Sequence, residues 1–274
     1  MNPSIVQSKF VMVGDIRTHY LEAGQGEPLI LLHSGEFGGC AEISWEYNME
    51  KLSEHFHIFA PDWLGYGLTD KLFSFQDMFE ERVKHIRRFM ETLCIERAHF
   101  IGNSMGGSML ITVAAEEQPP WNMDKIVVVS GGGVAPENEA REILNSYDCT
   151  KEHMREIMKV IFAQERFWND QAYIEKRYNA SLVPGAWECT AAARFKSPAA
   201  SVSGKRRPKT YGTIQSPTLI VAGAQDRLRY PGYADELAKQ IPGSKLHVFE
   251  QAGHCSHIEF PDAFNKLVID FLKE

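Results

Sequence analysis

Apolar residues recur along the chain in short blocks of two kinds. The blocks FVMV (10–13) and THYL (18–21) flank a Gly14-Asp15 turn and predict an opening antiparallel hairpin. The later blocks LILL (29–32), HIFA (57–60), HFIG (99–102), KIVVV (125–129), TLIVA (218–222) and KLHVF (245–249) are mostly continuous, the pattern of parallel strands covered on both faces. Between them apolar positions recur every three to four residues. Met78, Phe79, Val83, Ile86, Phe89, Met90 and Leu93 trace one helical face, and Phe264, Leu267, Val268, Phe271 and Leu272 trace another near the C-terminus. A hairpin followed by alternating strands and helices predicts an α/β fold, a mostly parallel central sheet with helices on both faces.

The alternation stops after VVVSGGGVAP. From about 134 to about 210 no strand pattern is found, whereas Met154, Ile157, Met158, Ile161 and Phe162 share one helical face and Tyr173, Ile174 and Tyr178 suggest a second. The expected organisation is a core formed by residues 1–133 and 211–274 with a helical insertion at 134–210. The insertion closes in SPAASVSGKRRPK, a Pro/Ser/Gly-rich basic stretch read as a loop, and no internal repeat is found.

Composition narrows the function. The 274 residues are 44% hydrophobic, enough to fill one large core, and the net charge of −7 gives no general reason to bind nucleic acid or an anionic membrane. Lys205-Arg206-Arg207 is read as a solvated loop. No apolar run reaches the ~20 residues of a membrane span and the first residues do not read as a leader, so a cytoplasmic location is expected. The five cysteines are odd in number and scattered, which predicts free thiols.

Candidate chemistry collects where the apolar blocks end, as functional groups do in an open parallel sheet. Gly102-Asn103-Ser104-Met105-Gly106 is a G-x-S-x-G pattern between a strand and a helix, which on a tight turn holds the serine hydroxyl clear of the sheet. Asp226 follows TLIVA and His254 follows KLHVF. A serine needs a base to take its proton, and a histidine needs a carboxylate to fix its tautomer and stabilise its charged form, so the three types form one unit. After LILL comes HSGEFGG (33–39), whose glycines let backbone N–H groups approach a substrate oxygen; Gly35 and Met105 are the expected oxyanion donors. His33 is read as orienting that loop. His254, Cys255 and His257 lie within four residues, but no further ligand set is spaced for a metal, and GNSMGG lacks the lysine of a phosphate-binding loop. Neither a metal nor a cofactor is predicted.

With LLHSGEFGG, APDWLGYGLTD, FIGNSMGGSM, LIVAGAQDRL and AGHCSHIEFPDAFNKLVIDFL in the family's order and spacing, the whole chain resembles the α/β-hydrolase superfamily. The resemblance implies an α/β-hydrolase fold in which the insertion is a lid. GNSMGG, SGGGVAP, AARFKSP and FPDAFNKLVIDFL make it most similar to the meta-cleavage-product hydrolases, which cut a C–C bond in vinylogous 1,5-diketones formed when catechol rings are opened. That likeness implies substrate-binding roles for Arg194, which would hold the carboxylate and enol end, and for Asn103, Ser34 and Ser44. It implies a small-molecule substrate and leaves a homo-oligomer open. Three departures reshape the pocket rather than the triad: HSGEFGG replaces a glycine/proline-rich run, Ser44 stands where asparagine is usual, and Cys255 replaces a tryptophan after the histidine. A carboxylesterase or lactone hydrolase would use the same triad without Arg194. A cofactor-independent dioxygenase or a non-catalytic receptor on this fold are further alternatives.

Overall fold

The computed structural model describes residues 5–73, 78–192, 194 and 210–274. Its sheet has eight strands: β1 (Gln7–Val13), β2 (Ile16–Ala23), β3 (Pro28–Leu32), β4 (His57–Pro61), β5 (Ala98–Asn103), β6 (Met123–Val129), β7 (Thr218–Gly223) and β8 (Lys245–Phe249). They lie in the order β1-β2-β4-β3-β5-β6-β7-β8, antiparallel from β1 to β4 and parallel from there on. The continuous apolar blocks are explained by two cores. Ile30, Leu32, Phe100, Ile126 and Val128 face one side, where they meet α3 (Phe79–Thr92), α4 (Met105–Ala114) and α10 (Tyr233–Gln240). Their neighbours Leu29, Leu31, Ile101, Val127 and Val129 face the other, against α1 (Ala41–Trp45), α2 (Met49–Ser53) and α12 (Pro261–Lys273). Every position of β5 is buried, so no polar alternation survives in it.

Between β6 and β7 the described residues form five α-helices, α5 (Glu139–Asn145), α6 (Lys151–Ile161), α7 (Glu165–Asn169), α8 (Gln171–Ser181) and α9 (Ala186–Ala192), more than the two faces traced in the sequence. Of the short ones, α5 and α7 each bury one residue and show no period, whereas α9 buries Ala186, Cys189, Thr190 and Ala192, small residues that make no strong apolar face. Local capping sets the starts of the two long ones. The Thr150 hydroxyl accepts from His153 N–H, and the Asp170 carboxylate accepts from Ala172 and Tyr173 N–H. Met154, Ile157, Met158 and Ile161 point into a third core that also holds Phe37, Leu228, Cys255 and Ile258, so the inserted helices rest on the loops that follow β3, β7 and β8. The stretch SPAASVSGKRRPK, with its basic cluster, lies outside the described residues.

Candidate active site

The turn from β5 into α4 forces its own sequence. Ser104 has φ 53° and ψ −108°, a left-handed conformation that a residue with a side chain adopts at a cost. A Cβ on Gly102 would stand 2.6 Å from the Gly106 carbonyl, and one on Gly106 would stand 2.2 Å from the Leu32 oxygen, so both positions admit only glycine. Hydrogen bonds from Ser104 N–H to Val129 O and from Ser108 N–H to Ser104 O, each 2.8 Å, fix the turn between the sheet and the helix.

Three strand ends then converge. His254 Nε2 lies 2.7 Å from Ser104 Oγ, and His254 Nδ1 lies 2.7 Å from Asp226 Oδ2. The carboxylate can only accept, so Nδ1 carries the proton and Nε2 is left to accept from the serine hydroxyl. Leu228 N–H donates to the other Asp226 oxygen at 2.8 Å. Burial pushes the Asp226 carboxyl up. The charge and hydrogen bond of His254, the Leu228 N–H and Arg229 outweigh it and hold the carboxyl below the ordinary aspartate value. His254 N–H donates to Ile161 O at 2.8 Å, which seats the histidine loop on the end of α6.

The loop after β3 is held from behind. His33 is wholly buried, with Nδ1 donating to Ser34 O at 2.6 Å and Nε2 accepting from Trp63 N–H at 3.0 Å. Burial lowers its basicity, which keeps the ring neutral and able to make both bonds. Gly35 lies against the first residue of α4: a Cβ there would meet Met105 Sδ at 2.7 Å. Met105 N–H belongs to the first helical turn, whose donors have no intrahelical acceptor. Glu36 of the same loop accepts from Arg177 Nη2 on α8 at 2.8 Å, both side chains buried, and this pair ties the loop to the inserted helices. Burial pushes the Glu36 carboxyl up, but Arg177 outweighs it and keeps the group charged.

Ser104 and His254 open on a cavity of about 380 Å³ between the sheet and the inserted helices, a size that suits a small molecule. Gly35, Met105 and Arg194 are on its wall. Arg194 Nη2 donates to Gly35 O at 2.7 Å, Nη1 donates to Leu144 O at 3.4 Å, and the guanidinium lies 4.4 Å from the Phe37 ring centroid. It has no carboxylate partner among the described residues, and burial pushes it down from the ordinary arginine value. Ser34, Ser44 and Asn103 are buried and are not on the cavity wall. The two hydroxyls are 3.4 Å apart, and Asn103 Nδ2 donates to Val129 O at 3.3 Å. Asp226 stands behind His254.

Several wall residues were missed in the sequence: Arg82, Arg141, Arg229 and Glu36. Arg229 had a readable signal, since it follows Asp226 by three residues at a strand end. Arg82 falls on the buried face of α3, four residues before Ile86, and Arg141 on the seven-residue α5, and nothing in either local sequence says that the guanidinium reaches a cavity. Among the described residues no group of three or more His, Cys, Asp or Glu could hold a metal ion, and no helix is long and apolar enough to cross a membrane. His257 is wholly buried and its basicity is lowered to about 3 by burial, so its ring is neutral.

A model of the alpha/beta hydrolase family matches residues 29–267. The chain is 30% identical over 267 residues to the 2-hydroxymuconate semialdehyde hydrolase of Pseudomonas sp. strain CF600, covering 96% of this chain and 93% of that protein. It is likewise 30% identical to the 2-hydroxy-6-oxo-2,4-heptadienoate hydrolase of Pseudomonas putida, covering 96% and 95%. A solved meta-cleavage product hydrolase of Pseudomonas fluorescens IP01, complexed with acetates, superposes with a TM-score of 0.87 at 28% identity and 97% coverage of each chain.

Proposed function

The chain belongs to the alpha/beta hydrolase family, and from that premise we propose that it hydrolyses a C–C bond in a 2-hydroxy-6-oxo-2,4-dienoate, the product of meta ring fission in aromatic degradation. One observation carries the reading: the Ser104–His254–Asp226 hydrogen-bonded chain opens on a cavity whose wall holds Arg194, which has no ion-paired carboxylate among the described residues. The relatives that act on such dienoates support it over nearly the whole chain.

A carbon leaving group needs somewhere for its electrons to go, so the dienol is first ketonised. Arg194 holds the substrate carboxylate by paired hydrogen bonds, and His254 serves the proton transfers. Ser104 then attacks the remaining carbonyl while His254 Nε2 takes its proton, and Asp226 stabilises the imidazolium. The oxyanion forms against the N–H groups of Gly35 and Met105, each donor contributing about 3 kcal/mol. Collapse breaks the C–C bond, its electron pair leaves as the dienolate and is protonated, and an acyl group remains on Ser104. Water, activated by the same histidine, then releases the acid. Residues 134–210 act in this scheme as a lid that excludes bulk water, and Asn103, Ser34 and Ser44 support the substrate-facing groups from behind.

The test is to give the purified protein yellow ring-fission dienoates and, separately, p-nitrophenyl esters. Bleaching of the dienoate at a kcat/KM well above that for the esters supports C–C hydrolysis. Ester turnover alone would instead make the protein an esterase.

A further inference from the structure

A second serine, histidine and aspartate stand in line at the edge of the sheet. Ser8 Oγ lies 2.9 Å from His19 Nε2, and His19 Nδ1 lies 2.7 Å from Asp62 Oδ2. These spacings nearly repeat those of Ser104, His254 and Asp226, which are both 2.7 Å. The Asp62 carboxylate can only accept, so Nδ1 carries the proton and Nε2 accepts from the Ser8 hydroxyl. β1 is the outermost strand, and β2, β4 and β3 separate it from β5, so this row of hydrogen bonds shares no residue with the one that ends at Ser104.

The base is held from behind and the hydroxyl is open to solvent. Asp62 is buried, with Oδ1 accepting from Ala41 N–H at 2.7 Å and Oδ2 from Leu68 N–H at 2.8 Å. His19 is buried as well, and its N–H donates to Thr69 Oγ1 at 3.0 Å. Ser8 is exposed. A serine hydroxyl that donates to a neutral, fixed imidazole can lose its proton as it attacks, which one bonded only to water cannot. Phe10, two residues on and therefore on the same face of β1, is 42% exposed with its ring centroid 5.0 Å from that of His19, and it offers an apolar rest for an aryl group. General-base assistance contributes about 10²–10⁴ in rate, and an oxyanion donor a further ~10²–10³. Ser8 sits in an extended strand rather than at a helix start, and the donors beside it are the outward N–H groups that an edge strand leaves unpaired. With the base but without a preorganised oxyanion pocket, acylation is within reach only where the leaving group departs readily. The alkyl ester so formed has a poor leaving group and persists.

We propose that Ser8, served by His19 and Asp62, is a second nucleophile and an acyl-acceptor site, taking the acyl group of a small activated ester with an aryl leaving group. Ser8 Oγ bonds to the acyl carbon while His19 Nε2 takes the hydroxyl proton. The bond from that carbon to the aryl oxygen breaks, the phenolate departs with its electron pair, and the imidazolium returns the proton to solvent. The product is an ester of Ser8, formed with no change of oxidation state. The site works without Ser104 and is independent of the C–C hydrolase reading.

The experiment uses the full chain carrying Ser104→Ala, so that the cavity serine cannot consume the probe. The protein is incubated with p-nitrophenyl acetate, and the acetylated peptides are identified by mass spectrometry as they form. Ser8 is expected to carry an acetyl group, gained about a hundredfold or more faster than when His19→Gln is added. Thermal melts establish that the His19→Gln chain is folded. A second measurement needs no change at His19: in deuterium oxide the acetylation of Ser8 should slow by about twofold, because a proton moves to the imidazole as the bond forms. That isotope effect decides the matter should His19→Gln fail to fold. Ser8 left free while surface lysines are acetylated, Ser8 acetylated as fast in folded His19→Gln, or a rate unchanged in deuterium oxide each overturns the proposal.

Discussion

The Glu259 carboxylate accepts the backbone N–H of Gly253, the residue before His254, at 2.6 Å. Its other oxygen accepts from Ala163 and Gln164 N–H at 2.7 and 2.9 Å, at the turn between α6 and α7. One buried side chain thus clamps the histidine loop to the inserted helices. Glu259→Gln exchanges an accepting oxygen for an NH₂ group that faces N–H donors. It should lower stability by about 1–3 kcal/mol and kcat by about tenfold through a displaced His254. Thermal denaturation and steady-state kinetics check both. Unchanged kcat would show that the clamp does not position the histidine.

Gly106→Ala places a methyl group 2.2 Å from the Leu32 carbonyl, backbone against backbone, with no side chain able to yield. A loss of more than about 4 kcal/mol is expected, seen as insoluble protein or a collapsed melting temperature. A stable Gly106→Ala protein would contradict the tight β5–α4 turn.

The carboxyls of Asp62, Asp226 and Glu36 are each subject to burial that would raise them, yet all are held below the ordinary range by their partners. An acid depressed in the folded state binds fewer protons there than in the unfolded chain. Its stabilising share is complete above the ordinary carboxylate value and is lost as pH falls through the folded one. Glu259 is raised by burial and works oppositely, weakening the fold as pH climbs just above the ordinary value. The melting temperature should begin to fall below about pH 6.5, where the unfolded chain protonates histidines that the fold keeps neutral, among them His33, His85 and His257, and should fall more steeply below about pH 4. Asp62→Asn should make the acid limb shallower, and a melting temperature that rises on acidification would contradict these assignments.

Arg194→Ala separates carboxylate recognition from acyl transfer. Cleavage of a dienoate should slow by about a hundredfold, near 3 kcal/mol for a charge-assisted contact. Part of any effect shared with a neutral p-nitrophenyl ester reports the lost support of Gly35 O. Equal small effects on both substrates would remove Arg194 from carboxylate binding.

Much of this architecture was legible because its causes are local. Leu29 to Leu32 read as a buried strand since both sheet faces are covered, and Gly102-Asn103-Ser104-Met105-Gly106 is written by the sterics of one turn. Strand ends put Asp226 and His254 in view. The charged wall was not legible, because Glu36 and Arg177 meet across 141 positions of sequence and Arg141 reaches Leu228 across 87. Nothing in a local window reports such partners. The short helices α5 and α7 escaped for a related reason: each buries a single residue and packs onto α6, so neither has a period of its own.

The central claim, that Ser104 attacks a ring-fission dienoate and is thereby acylated, is tested most directly by rapid-mixing spectroscopy of the native protein and of Ser104→Ala. The native protein should bleach the yellow dienoate in a Ser104-dependent reaction that yields a 2-hydroxydienoate and a carboxylic acid. Ser104→Ala should bind the chromophore but slow its cleavage by about a thousandfold or more. Release of the 2-hydroxydienoate and the carboxylic acid by Ser104→Ala at a rate near that of the native protein would contradict the account.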